Sequence, residues 1–374
     1  MKCTVQRASI NKAVAHCMSI IDPRASNEAI RRLKFDVADG HLRITGSNAY
    51  VTIRGTIEAT VAEPGSYCVD AKLAREIFTS LPGASAEVSI FVDKHTMQIC
   101  CGKRKSEIDV RDGDEYPNLA VGPDDMVKLA APSLAHAMAL VNHAVSNDET
   151  NVQLSCIDIV CSNGKIEARA TDSKRGARSE VACEAGSFHC LVPFNAIKSV
   201  RRILTEGGAC DVEIGANADD MRLRCGAYEL TAKLSASMFV RFDRIVPADA
   251  ANPIHVDRSM LLDAVRGMAP TASQEIDDGK IRWGEIELTF AEGEIRIASI
   301  NARGKSTDTV GCDYAGDTIG MVCAPHYLID ALASETADEV SLHPPKGDEP
   351  MKITPRLTRE SVYVLMPMNK RRAA

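Results

Sequence analysis

The sequence predicts an α+β fold of three tandem domains, each carrying two helices on antiparallel sheets. Three observations carry this reading. The chain is 374 residues long, beyond the size at which one hydrophobic core usually stops growing. A helical spacing of apolar residues recurs roughly every 125 residues. Alternating, strand-like segments follow each helix in the same order every time.

Ile10, Val14 and Cys17 open the first repeat on one helical face, Leu134, Met138 and Val141 the second, and Leu261, Val265 and Met268 the third. Each is followed by an alternating strand: "LRITGSN" ending at Asn48, "IEARATD" at Asp172, and "IRIASIN" at Asn301. A second helix comes next, starting near Asp70, Pro193 and Ala324. Each repeat then closes on strands: "AEVSIFVD" and "TMQICCG", "CDVEIGA" and "DMRLRCG", "DEVSLHP" and the last apolar stretch "VYVLMPM". These features divide the chain into domains 1–125, 126–250 and 251–374, with boundaries in the polar, turn-rich "VGPDDM" and "PADAANP". The second helix of each repeat resembles the first, giving six similar helices with sheets behind them.

Composition narrows function. Hydrophobic residues make up 45% and charged ones 25%, which excludes disordered and collagen-like classes. No apolar run approaches the roughly 20 residues that span a bilayer, and "MKCTVQRASINKAV" lacks a signal peptide's apolar core, so a cytoplasmic protein without membrane contact is expected. Thirteen cysteines with no CxxC pair point to reduced thiols, with neither a metal site nor a cofactor. The net charge of −7 argues against a uniformly basic nucleic-acid binder but leaves room for one basic face. Lys12, Lys72, Arg75, Lys198, Arg201, Arg202, Arg258 and Arg266 fall on polar helix faces, and Arg24 and the run Lys103, Arg104, Lys105 on loops. Each alone reads as solvated charge; together, on helices sharing one side, they would make a surface for DNA.

Enzyme readings are weaker. "RGKST", 303–307, resembles the end of a phosphate-binding loop, but Ser299 stands where glycine is needed and no helix follows. A cysteine-dependent enzyme would pair His136 or His189 with a thiol, yet His189 and Cys190 are neighbours in a strand and point to opposite faces.

The opening "MKCTVQRASINKAV", "EYPNL" at the first boundary, "ATDSKR" in the second repeat, "KLSASMFVRFDRIVP" closing it, and "YVLMPM" together resemble the bacterial sliding clamp family, the beta subunit of DNA polymerase III. The resemblance implies a non-catalytic processivity factor: three DNA-clamp domains per chain form half of a ring, and a head-to-tail homodimer encircles duplex DNA without reading sequence. It assigns DNA contacts to Lys12, Arg24, Lys72, Arg75, Lys198, Arg201 and Arg202. Ring closure falls on Lys103, Lys105, Ser106, Ile108, Ala269 and Pro270. A pocket for short apolar peptides is implied at Leu154, Thr171, Lys174, Arg175, Val240, Arg244, Ile245, Tyr327, Val364, Met366, Pro367 and Met368. Its occupants are the DNA polymerase III alpha subunit, the clamp loader and other proteins with a clamp-binding motif. Methionines suit a pocket that repacks around several ligands.

Departures from the family pattern are specific. Ser173 stands where glycine is usual, Gly176 where leucine is, and Val240 where proline is common, so a larger pocket is expected at Gly176. Ser106, Ala269 and Pro270 replace an aromatic and large aliphatics at the closure, which implies a weaker or differently sealed dimer. A clamp-fold scaffold that binds proteins without encircling DNA is the alternative.

Overall fold

Among the described residues six helices occupy the six positions the repeat marks: α1 (Arg7–Met18), α2 (Ala71–Ser80), α3 (Ala131–Val141), α4 (Phe194–Gly207), α5 (Arg258–Ala272) and α6 (Pro325–Ser334). The computed structural model describes residues 1–83, 86–93, 95–117, 121–183, 186–234, 237–276, 280–301 and 304–368. All nine apolar residues that set the first-helix periodicity are buried. The three predicted second-helix starts are the N-cap residues, but only Asp70 caps with its side chain, accepting from the Leu73 N–H at 2.8 Å. Asp257 does the same for α5 through Met260, also at 2.8 Å. Its carboxyl is held below the usual range, first by the Ser259 hydroxyl and then by that N–H.

The chain forms two compact units, Met1–Pro132 with Ala185–Ala236, and Ser133–Glu184 with Ser237–Ala374. The middle repeat therefore contributes to both. Hydrogen-bonded ladders that continue from one repeat into the next are the cause. In the first unit a sheet of 13 strands joins Tyr228–Lys233 to Val51–Glu58 in antiparallel register, from Tyr228↔Gly55 to Ala232↔Val51. In the second, Arg175–Ala182 pairs with Ser361–Leu365, from Arg175↔Leu365 to Ser179↔Ser361. A further sheet of four strands there runs in the order Gly304–Gly311, Glu294–Asn301, Ile286–Ala291, Ile319–Cys323. "VGPDDM" and "PADAANP" are both loops.

Helix α1 lies close on its sheet because two glycines make room. A Cβ at Gly46 would stand 2.6 Å from the Cys17 carbonyl oxygen, and one at Gly55 would stand 3.0 Å from the Ala13 Cβ. The buried side of α1 is thereby held down, leaving Lys12 on the exposed side. Within the same unit α4 is tied to α1. His16 Nε2 lies 2.7 Å from Glu206, and Arg202 donates both to Glu206 (2.9 Å) and to the Ala15 carbonyl (3.4 Å). Burial lowers the His16 pKa, so a neutral ring donates to the carboxylate. Burial pushes Glu206 upward, but the hydrogen bonds from His16 and Arg202 prevail and hold it below its ordinary value.

Candidate docking site and basic helix face

The residues expected to form a docking pocket lie in the second unit around a hairpin. Strand Lys165–Thr171 turns at Ser173 and Lys174 into strand Arg175–Ala182. The Asp172 carboxylate accepts from the N–H groups of Lys174 (2.9 Å) and Arg175 (3.0 Å), and Thr171 Oγ1 donates to the Arg175 carbonyl at 2.7 Å. Ser173 has φ of 74°, the left-handed conformation a tight hairpin requires at this place and the reason glycine is usual there. The turn is kept although the residue has changed.

Arg175 is the hub of the cluster. Its guanidinium lies 4.6 Å from the Tyr327 ring centroid, bonds Asp172 at 3.0 Å and pairs with Asp330. Tyr327 and Asp330 are one turn apart on α6, so a single cation fastens that helix to the hairpin. Burial pushes the Tyr327 hydroxyl pKa up. On the other side the Lys174 carbonyl accepts from the Met366 N–H at 2.9 Å, and the Met368 N–H donates to Val322 at 2.7 Å. Met366 to Met368 is thus pinned at two points, with Met366 and Met368 40% and 38% exposed and Ile245 37%. Thr171 and Val364 are buried, Val364 directly opposite Gly176 in the ladder.

The expectation of a larger pocket at Gly176 is overturned. A Cβ there would fall 2.8 Å from the Phe242 ring and 3.3 Å from Ile245, and Phe242 is 1% exposed. The aromatic ring fills the volume that a leucine would take. Phe242 and Asp330 were both missed from sequence; Phe242 stood in the quoted "FVRFDRIVP", and Asp330 is three residues after Tyr327 on a helix. Arg244 is exposed, Val240 half-buried, and Leu154 half-buried in a turn where its carbonyl accepts from Ser146 at 2.9 Å.

In the first unit Lys12, Lys72, Arg75 and Lys198 are exposed on α1, α2 and α4, Arg24 is exposed in the loop after α1, and Arg201 is half-exposed. Arg202 is half-exposed and also ties α4 to α1. Arg258, in the second unit, donates to the Ala337 carbonyl at 2.7 Å and the Leu332 carbonyl at 3.1 Å, closing the end of α6.

Of the closure residues, Ile108 is 3% exposed and carries core burial within its own sheet, which corrects its reading as a contact residue. Lys103 and Lys105 are exposed and Ser106 half-exposed. The strand Arg104–Asp112 pairs with Thr96–Cys101 over residues 104–109, whereas its ladder on the opposite side begins only at Val110. Ala269 is half-buried and Pro270 exposed near the end of α5. Proline offers no N–H to the helix, and α5 ends two residues later, where the Ser273 hydroxyl donates to the Ala269 carbonyl at 2.6 Å.

Cys190 is buried against Met221, and burial pushes Cys17 and Cys323 up to about 12. Gly304 to Thr307 of the phosphate-loop-like motif lie in a strand, and Arg303 lies outside the described residues.

Three repeats of paired helices on antiparallel ladders that run from one repeat into the next define a clamp-type architecture. The chain belongs to the DNA polymerase III beta subunit family: its N-terminal domain profile matches residues 1–120, the central domain profile 128–239 and the C-terminal domain profile 243–369. The beta sliding clamp of Pseudomonas putida is 22% identical over 98% of this chain and 100% of its own length. That of Caulobacter vibrioides is 23% identical over 98% and 100%. Among solved structures, a Pseudomonas aeruginosa sliding clamp bound to griselimycin superposes with a TM-score of 0.91 at 21% identity, over 99% of each chain. The DNA polymerase sliding clamp of the same organism with a ligand gives 0.89 at 21%, over 99% and 100%.

Proposed function

We propose that this chain is a DNA sliding clamp: two copies close head to tail around duplex DNA and hold the replicative polymerase on its template, with no chemistry of their own. The observation that carries the reading is the exposure of Lys12, Lys72, Arg75 and Lys198 on three helices of a chain whose net charge is −7. Cations spaced along helices meet phosphates without reading bases, which permits sliding. Arg24 and Arg201 add to this face. The chain reads as three domains, 1–125, 126–250 and 251–374, each with two helices.

Closure joins the open edge of residues 104–109 in one copy to the sheet end Gly304–Gly311 in the other. Lys103, Lys105, Ser106, Ala269 and Pro270 flank that seam. The partners are proteins with short apolar motifs, the polymerase III alpha subunit and the clamp loader among them, docking on Ile245, Tyr327, Met366, Pro367 and Met368 above the hairpin. Burying two or three Leu or Phe side chains gives roughly 4 to 8 kcal/mol gross, less the ordering of the peptide, so each motif binds at about micromolar strength or weaker. The cytoplasm is the compartment that suits this work, and no described helix is long and apolar enough to cross a membrane.

The ring is tested by loading the protein on nicked circular DNA and then linearising it: the protein runs off the linear form, whereas retention there would mean conventional binding. Light scattering at micromolar concentration should give the mass of two chains. A strict monomer would favour the protein-binding scaffold that does not encircle DNA. Replacing Met366 and Met368 together by Ser should weaken a labelled clamp-binding peptide about tenfold or more in a fluorescence titration. Unchanged affinity would remove the docking assignment.

A further inference from the structure

We propose that two thiol pairs, Cys210 with Cys225 and Cys161 with Cys183, are peroxide-sensitive modification sites that close reversibly into disulfides. Their sulfurs stand 3.2 Å and 3.5 Å apart, so small side-chain movements bring either pair to bonding distance. Backbone geometry fixes each approach. The Cys210 N–H donates to the Gly207 carbonyl at 3.4 Å, and Cys225 ends its strand opposite Val212. A Cβ at Gly207 would fall 2.3 Å from the Cys225 sulfur and 3.1 Å from the Cys210 sulfur. Only the bare glycine at the end of α4 leaves room for both thiols. In the second pair the Cys183 N–H donates to the Gly164 carbonyl at 2.9 Å. That bond lays Cys183 over the hairpin turn joining strand Cys156–Ser162, which carries Cys161, to strand Lys165–Thr171.

Each pair joins a partly exposed thiol, Cys210 or Cys183, to a buried one, Cys225 or Cys161. Burial, and then the neighbouring thiol, push both buried members up to about 12, which keeps them from meeting the oxidant first. The accessible thiolate attacks hydrogen peroxide: an S–O bond forms, the O–O bond breaks, and the departing hydroxide takes up a proton as water. The buried thiol then gives up its proton and attacks the sulfenic sulfur; S–S forms, S–O breaks, and the second hydroxide leaves as water. The two thiols together lose two electrons and the peroxide is reduced to two waters. Cys100 and Cys101 are an internal contrast, because neighbours in one strand point to opposite faces.

The full-length protein is treated with hydrogen peroxide, residual thiols are blocked with N-ethylmaleimide, and non-reduced peptide maps are read by mass. Expected are the cross-linked peptides Cys210–Cys225 and Cys161–Cys183, loss of blocking at those four positions, and reversal by dithiothreitol. Cys210→Ser, at a partly exposed position, should leave Cys225 blockable while the other cross-link persists, and Cys183→Ser should do the converse. Cross-links scrambled among the remaining cysteines, sulfinic acid at Cys210 and Cys183 without cross-links, or full blocking of all four after peroxide would each overturn the proposal.

Discussion

The Gly176 and Phe242 contact shows how one residue change is absorbed by another 66 positions away, Phe242 filling the space beside the missing side chain. Restoring leucine at 176 should therefore harm this chain: the ring must move, at a cost of about 1–3 kcal/mol in urea denaturation. Pairing Gly176→Leu with Phe242→Ala should recover part of that loss, and no recovery would deny the contact. His143 gives a second test. Its Nδ1 lies 3.0 Å from the Ser334 hydroxyl, and burial, followed by the Arg175 charge, pushes its pKa down to about 3 from 6.5. Below 6.5 the unfolded chain binds this proton while the folded chain refuses it, so stability falls as pH drops from 6.5 toward 3. His143→Gln should flatten that slope by up to about one proton in denaturation midpoints followed across the range. The strand end at Asp172 was legible because the apolar alternation stops there. The Phe242 contact was not, since a meeting of distant segments leaves no period in the sequence.

At the scale of elements, helix positions were almost fully readable. A 3.6-residue apolar period exposes which side is buried, and Ile10, Leu134 and Leu261 lie where the period puts them. Caps were read as positions but not as chemistry: Pro193 and Ala324 begin their helices without a side-chain bond, whereas Asp70 and Asp257 supply one. Asp70→Ala and Asp257→Ala should each cost roughly 0.5–2 kcal/mol, and Pro193→Ala should lose no cap bond. Equilibrium unfolding of the three variants checks the contrast; equal losses would refute it. The basic residues were legible as a set but not singly. Arg202 and Arg258 look like surface cations in sequence, and only the helix ends and carbonyls they reach reveal them as ties.

For the whole molecule, periodicity announced three repeats but not the two units that cut across them, because ladder continuity depends on which strand edges meet. The boundary loops are thus not where the repeats are held together. Cleaving the chain at an engineered protease site near Val121, 54% exposed in the first boundary loop, should leave the pieces co-eluting in size exclusion, whereas separation would show the loop to be the joint. The rungs from Tyr228↔Gly55 to Ala232↔Val51 and from Arg175↔Leu365 to Ser179↔Ser361 give the same arrangement a mechanical meaning. Tension between neighbouring repeats is borne by hydrogen bonds lying crosswise to the strands, which must yield several at a time under shear. At these two junctions neighbouring repeats part only when several rungs break together.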